Sequence, residues 1–374
     1  MRKLVACTTA FLILPLSASG QTHPSSVGPL AVETVVGGLV NPWSFAFLPD
    51  GHILVTERPG RIRIATADGQ LSAPLAGVPR VAAQGQGGLH DIVLDRNFKQ
   101  NQTIYFCFAE PSDKGSRTAM ASARLNGSKL EDVEVIFRQD PAVSSSRHFG
   151  CRIVQGRDGN LFLGLGDRGD YSKEAQSLDN HIGKVVRVAP DGSVPKDNPF
   201  VGRKDAKPEV FTYGHRNIQG AALHPDSGQL WTQEHGPRGG DEVNIEQAGK
   251  NYGWPVVGHG VAYSGITIHQ EKSRPDMVDP IHVWVPSIAP SGLTFMSGEM
   301  FPKWRGSAFV GALAGQMVVR LSLDGERVTD EERILSGLDE RIRDVRTGPD
   351  GALYLATDNK AGRILRVTPV KKGK

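Results

Sequence analysis

One hydrophobic–polar pattern recurs along the chain. An apolar residue leads into a turn rich in Asp, Gly or Asn, and a β-type run follows that ends on small, hydroxyl or acidic residues. FLPDGHILVTE covers Phe47–Glu57, VLDRNFKQNQTIYFCFAE covers Val93–Glu110, and VQGRDGNLFLGLGD covers Val154–Asp167. LHPDSGQLWTQEHG covers Leu223–Gly236, FMSGEMFPKWRGSAFVGALAG covers Phe295–Gly315, and TGPDGALYLATDN covers Thr347–Asn359. The second and fifth copies carry longer turns. Each copy reads as a hairpin, with turn residues between two β-type runs. A single hairpin cannot bury its own face, and repeated four-stranded units are the mark of a propeller. Residues 30–370 divided by six give about 57 residues per unit, which leaves room for long loops. The expectation is an all-β chain forming one domain over residues 30–370, a six-bladed β-propeller.

Five copies close on an acid or within two residues of one: Glu57, Glu110, Asp167, Glu234 and Asp358. Repeated ends of one type predict a shared face of the ring; taken singly, each also reads as a polar residue marking a strand end. Two stretches break the strand pattern. Ser172–Asn180 suits a short helix, and Lys250–Ser273 reads as an insertion lying over one face.

Ahead of the repeats, Arg2 and Lys3 precede an apolar run from Leu4 to Leu16, and Ser17-Ala18-Ser19-Gly20 offers small residues for cleavage. That run is short for a bilayer span, so residues 1–20 are expected to be an export signal and the mature chain periplasmic. Cys107 and Cys151 remain in the mature chain; a disulfide and two buried thiols are equally open. The chain has 374 residues, with 43 basic and 40 acidic side chains, a balance that gives no reason for a nucleic-acid or membrane-surface partner. The 44 glycines and 24 prolines suit many tight turns.

The chemistry concentrates in Tyr213–Pro255, which reads YGHRNIQG and then EHGPRGGDEVNIEQAGKNYGWP. Arg216 and Asn217 suit a planar anionic ligand. The Gly236-Pro237 carbonyls and the oxygens of Asp241, Glu242 and Tyr252 are what a hard cation such as calcium requires; the plain alternative is a solvated surface loop. His148, in SSSRHFGCRIV, stands at a strand entrance where an imidazole can act as general base. Asp167, ending the next strand-like run, is placed to orient it. A hydrogen-bonded structural histidine fits the same residues. Arg341 and Arg343 alternate, so a strand turns both to one side, as a cationic floor for carboxylates or as a surface pair. The chain has no G-x-S-x-G elbow, no H-E-x-x-H pair, no Walker loop and no G-x-G-x-x-G between strand and helix, which argues against a serine hydrolase, a zincin or an NAD enzyme.

Taken together, NPWSFAFLPDG, GQGGLHDIVLDRNF, HFGCRIV, GDRG, IGKVVRV with DGSVPKDNPF, YGHRNIQG, EHGPRGGDEVN, NYGWP, PSIAPSG and RIRDVRTGPDG resemble the soluble aldose sugar dehydrogenases of the soluble quinoprotein glucose dehydrogenase family. The likeness runs from Val35 to Val367. It implies a six-bladed propeller carrying pyrroloquinoline quinone (PQQ) over its channel, with calcium on the carbonyls of Gly236 and Pro237. It implies oxidation of an aldose at C1 to the lactone, with His148 as the base and Asp167 its support. Gln86, Arg216, Asn217, Ser287, Arg341 and Arg343 match quinone-contacting positions, and Tyr263 a residue at the cofactor or sugar site. Glu242 and Tyr252 match a second, structural calcium site, with Asp241 beside them.

The chain departs from the family in one place that matters. A lysine contacts the quinone in the glucose dehydrogenase branch, in the strand that here reads FVGALAGQ, and Ala314 stands at the aligned position. The long insertions of the glucose-specific branch are also missing, which implies a broad aldose range. The electron acceptor is left open. A non-catalytic calcium-bearing propeller and a calcium-dependent lactonase are the competing readings.

Overall fold

The computed structural model describes residues 22–269 and 271–370. The expected export signal and the C-terminal KKGK lie outside those residues. Among the described residues, twenty-four strands form six antiparallel sheets, which follow one another along the chain as the blades of a propeller. Blade 1 has three strands, Pro42–Phe47, Ile53–Glu57 and Arg61–Ala65. Blades 2 to 5 have four each and begin at Leu89, Gly150, Ile218 and Pro290. Blade 6 combines Ile342–Thr347, Leu353–Thr357 and Gly362–Pro369 with two strands from the other end of the chain, Leu30–Leu39 and Thr22–His23. The pairing of Leu30–Leu39 with Gly362–Pro369, from Leu30 opposite Pro369 to Leu39 opposite Gly362, closes the ring.

The six hairpins read from the sequence are the first two strands of the six blades. Their second strands are buried along their whole length in Ile53–Glu57, Leu230–Glu234, Ala308–Ala312 and Leu353–Thr357, and in Leu161–Leu165 at every residue but Phe162. Each such strand is covered on both faces by neighbouring blades, which is why its sequence runs nearly uninterrupted in apolar and small residues. Outer strands have one wet face and alternate, as Arg327–Ile334 does. The longer turns of the second and fifth copies fold as a helical turn at Phe98–Asn101 and a 3-10 turn at Pro302–Trp304. Ser172–Gln176 forms the expected short helix, as a 3-10 segment.

There is one apolar core per seam between blades rather than a single central one. Trp231, Val243 and Trp284 of blade 4 pack on Leu293, Val310 and Leu321 of blade 5, and equivalent clusters fill the other seams. The seam between blades 3 and 4 is the exception. Only Val185, Ile218 and Leu230 are fully buried there. Between blades 2 and 3, Cys107 and Cys151 are joined as a disulfide across a sequence separation of 44, so pairing, not free thiols, is what the structure contains. By loop-closure entropy such a bridge contributes about 4 kcal/mol.

The centre of the ring is polar. Arg152 pairs with Asp91 at 3.2 Å and with Asp344 at 2.9 Å, while Arg346 pairs with the same two carboxylates at 2.8 and 3.0 Å. Ser44 Oγ donates to Asp91 at 2.7 Å and is 2.9 Å from Asp344. Two cations and two anions, each with several hydrogen bonds, balance the cost of burying charge.

Candidate active site

His148 ends the connection from blade 2 to blade 3. Its backbone sits at φ 50°, a left-handed conformation that an L-residue holds only when its surroundings impose it. Three contacts do so. The His148 backbone N–H donates to Gln86 Oε1 at 2.8 Å. Its Nδ1–H donates to Asp167 Oδ1 at 2.6 Å. Its carbonyl lies where a Cβ on residue 166 would stand, 2.0 Å away, so Gly166 is needed for the two strands to approach. Asp167 is itself buried and fixed: Gly169 N donates to Oδ1 at 2.7 Å and Trp254 Nε1 donates to Oδ2 at 2.8 Å. The carboxylate therefore holds Nδ1 as the donor nitrogen and turns Nε2 away from it, with no protein partner among the described residues. That is the form a general base requires.

Beside this pair lies a cavity of about 400 Å³, lined among others by Gln86, Asn217, Arg341 and Arg343. Its donors face inward because their other atoms are occupied. Asn217 Oδ1 accepts from Gly150 N at 3.2 Å, which turns its amide NH₂ outward to the cavity. Arg343 gives Nη1 to Gln219 Oε1 at 3.1 Å and Nη2 to Asp358 at 2.8 Å, and its buried Nε has no partner. Arg341 donates to the Leu313 carbonyl at 3.3 Å and stands 3.6 Å from Asp358. Burial works against a charged Asp358, but Arg343 outweighs it and holds the carboxyl down at about 2. Trp43 lies beneath, with the Arg152 and Arg343 guanidiniums 4.2 and 5.8 Å from its ring centre. This donor set, with an orphaned guanidinium nitrogen, fits a planar polycarboxylate.

The other sequence-predicted residues gather in a second, narrow cleft, lined by Gly236, Pro237, Glu242 and Tyr252 together with Arg216, Glu234 and His235. Gly236 makes a tight turn in which a Cβ would meet the Gly239 and Gly240 carbonyls at 2.3 Å. Its own carbonyl accepts from Arg216 Nη1 at 2.8 Å. Enclosure, and then the like charge of Glu234, push the Glu242 carboxyl well above its usual range. A bound cation would relieve that repulsion. Among the described residues, no three His, Cys, Asp or Glu side chains converge as a metal cluster, so a cation here would depend on carbonyl oxygens as well.

Three predicted residues stand apart from both hollows. Asp241 accepts from Gly236 N, Ser287 Oγ, Ile288 N and Ala289 N at 2.7 to 3.0 Å, which ties three loop segments together. Ser287 is thereby turned to Asp241. Tyr263 is 76% exposed in the insertion that follows blade 4's third strand. Tyr252 gives its hydroxyl to the Ile245 carbonyl at 2.5 Å. Ala314 is exposed, next to Leu313 of the cavity wall.

Sequence reasoning missed His235, which lines both hollows. Burial pushes it down to about 3, so the imidazole is neutral and its Nε2–H donates to the Pro290 carbonyl at 2.6 Å. It also missed Trp43, Arg58, Trp254 and the partnership of Asp358 with both arginines. Asp358 had left a trace as one of the acids ending the repeats. Of those acids, Asp358 lines the cavity and Glu234 lies just behind it, accepting from His215 Nδ1 at 2.9 Å and from Asn217 N at 3.1 Å, whereas Glu110 pairs with Arg117 and Arg138 within blade 2.

Comparison with known proteins decides the family. The family model described as Glucose / Sorbosone dehydrogenase matches residues 39–366. The chain belongs to this family. Among its relatives is aldose sugar dehydrogenase YliI of Escherichia coli (strain K12), 43% identical over 366 residues that cover 96% of this chain and 98% of that one. Among solved structures, the apo form of the soluble aldose sugar dehydrogenase from E. coli superposes with a TM-score of 0.88 at 44% identity, covering 91% of this chain and 99% of that one. The PQQ-bound aldose sugar dehydrogenase of Streptomyces coelicolor superposes at 0.74 with 30% identity, covering 91% and 98%. The family resemblance read from the sequence is therefore correct, as is the six-bladed fold. The glucose/sorbosone dehydrogenase match, residues 39–366, takes in strands of all six blades.

Proposed function

We propose that this protein oxidises aldoses at C1 to the lactone, with PQQ and calcium as cofactors. The observation that carries the reading is the His148–Asp167 pair at the edge of a cavity whose free donors are Arg343, Arg341, Asn217 and Gln86. Those four would hold the cofactor's carboxylates, and Arg216, in the second cleft, would share the Gly236 carbonyl with a cation. When bound, PQQ supplies an electrophilic carbonyl that accepts the two electrons of a departing hydride.

The chain's own contribution is to the proton. His148 Nε2 takes the proton of the sugar O1–H as the C1–H bond breaks. Asp167 stabilises the imidazolium that results and keeps the ring from turning. The left-handed backbone at His148 and the Gln86 bond to its N–H fix the base before substrate arrives, so little reorganisation is needed in the transition state.

The enzyme reading is tested by titrating the apo-protein with PQQ and calcium, then adding a panel of aldoses with an artificial dye acceptor. Saturable, calcium-dependent dye reduction supports it. Failure to bind PQQ overturns it, in favour of a non-catalytic propeller. We also place the mature protein in the periplasm, on the strength of the Arg2–Gly20 pattern. The Cys107–Cys151 bridge supports an oxidising compartment, and cell fractionation tests it.

A further inference from the structure

Lys184, the first residue of the strand Lys184–Val188 in blade 3, is wholly buried and has no part in the scheme above. Its Nζ donates to the carbonyls of Glu174 at 2.9 Å, Ala175 at 3.1 Å and Ile182 at 2.5 Å, and it makes no ion pair among the described residues. Burial pulls this ammonium down to about 7. A methionine would fill the same space without the cost of burying a charge. What the lysine adds is geometry: it fastens the end of the 3-10 segment Ser172–Gln176 to the blade.

Gln176 ends that segment. Its Nε2 donates to the Trp254 carbonyl at 2.7 Å and to Asn251 Oδ1 at 3.0 Å, and its Oε1 accepts from Asn251 Nδ2 at 2.8 Å. Asn251 Oδ1 also accepts from Gly253 N at 2.9 Å, and Trp254 N donates to the Gly214 carbonyl at 2.9 Å. Gly214, at φ 80°, makes room for this clasp, since a Cβ there would stand 2.2 Å from Asn251 Oδ1. The start of the insertion after blade 4's third strand is thereby tied to blade 3. With its backbone held, Trp254 gives its indole Nε1–H to Asp167 Oδ2 at 2.8 Å, and the Arg216 guanidinium stands 5.3 Å from the ring centre. Asp167 in turn accepts from His148 Nδ1 at 2.6 Å. Lys184 and Gln176 themselves line neither hollow of the site.

We infer that Gln176, with Lys184 behind it, is a positioning residue for the oxidation: it holds the Trp254 indole on Asp167, and through Asp167 it sets the His148 imidazole. The inference rests on the aldose-oxidising reading above for its effect on rate, while the contact itself can be read without turnover.

Two measurements test it and separate its failure from failure of that reading. The first follows hydrogen exchange of the indole N–H groups in the apo-protein by NMR, with the Trp254 signal identified by its loss in Trp254→Phe. In Gln176→Met and in Lys184→Met the Trp254 indole should exchange about tenfold faster than in the wild type, as expected for one lost hydrogen bond, while the indole of Trp231, in the seam between blades 4 and 5, keeps its rate. Unchanged exchange at Trp254, or equal acceleration at both indoles, overturns the relay. The second is a double-mutant cycle on kcat of the enzyme reconstituted with PQQ and calcium. Gln176→Met should lower kcat about three- to tenfold, the size of one neutral hydrogen bond, with the PQQ dissociation constant within about twofold. In a Trp254→Phe background it should have no further effect. An unchanged kcat, or fully additive losses, overturns the inference but leaves the aldose-oxidising reading intact. If no aldose is oxidised, that reading falls, and indole exchange alone decides the relay. Circular dichroism shows which variants fold; should Gln176→Met not fold, Lys184→Met carries both measurements.

Discussion

Replacing Asp167 with Asn isolates the step assigned to the chain itself. The substitution keeps the size of the side chain and removes its charge. In the native protein Asp167 Oδ1 accepts from His148 Nδ1 at 2.6 Å and from Gly169 N at 2.7 Å, and Oδ2 accepts from Trp254 Nε1 at 2.8 Å. An asparagine can accept through one atom only. If its oxygen stays with His148 and Gly169, its NH₂ meets the Trp254 donor head-on and one buried hydrogen bond is lost. If it flips, the His148 tautomer is wrong for a base at Nε2. A charge-assisted hydrogen bond is worth about 1.5–3 kcal/mol, which as transition-state stabilisation corresponds to about 10- to 150-fold in kcat. The assay is dye-linked aldose oxidation at saturating PQQ, alongside a fluorescence titration for the PQQ dissociation constant. The expected result is a fall in kcat of that size, with KM and PQQ affinity changed by less than about threefold. An unchanged kcat in a folded variant would refute the assignment of His148 as a base held by Asp167. So would a matched loss of kcat and PQQ affinity, because it would mean that the pair only shapes the cofactor cavity.

Other outcomes follow from the same geometry. Ala314→Lys places a cation at the rim beside Leu313 and should tighten PQQ binding by about tenfold or more, read in the same titration; no change would mean that Arg341 and Arg343 already suffice. Glu242→Gln should raise the Tm of calcium-free protein near pH 7 and diminish the Tm gain from added calcium. The sign follows from its raised carboxyl: ionisation above its unfolded value costs the metal-free fold stability, and glutamine removes that cost. His215 is enclosed between Glu234 and Glu246; burial opposes its charge, but the two carboxylates push it up to about 10. Its contribution is complete below the unfolded value of 6.5 and is lost as pH rises towards 10. The Tm gap between wild type and His215→Gln should therefore narrow over that window, and a constant gap would exclude the ion pairs as its source.

The sequence was most informative where the chain is covered on both sides. Ile53–Glu57 and Leu353–Thr357 are runs that water never touches, and their apolar character announced six hairpins. Outer strands such as Arg327–Ile334 alternate with charge and were not counted, since a half-wet strand resembles many surface segments. At the site, the strand-end acid Asp167 and the preceding His148 were legible because both sit at abrupt breaks in an apolar pattern. Arg341 and Arg343 were legible through their spacing. His235 was not, because nothing local distinguishes a neutral buried imidazole from a solvated one; its state depends on Pro290, Arg216 and Arg343, brought in from two further blades. The connection of Asp358 to Arg343 is likewise a product of strand pairing within blade 6, with no counterpart in spacing.

The pairing of Leu30–Leu39 with Gly362–Pro369 has a consequence for how the protein comes into being. A ribosome releases the first partner more than three hundred residues before the second, so the ring stays open until Gly362–Pro369 has been made. Arg341, Arg343 and Asp358 belong to that last blade, while His148 belongs to the third. On the proposed reading, a chain that lacks this last blade holds the proton acceptor without the cations that would seat the cofactor. Such a copy is expected to be silent, and the order in which the molecule is built would then keep incomplete rings from turning over sugar.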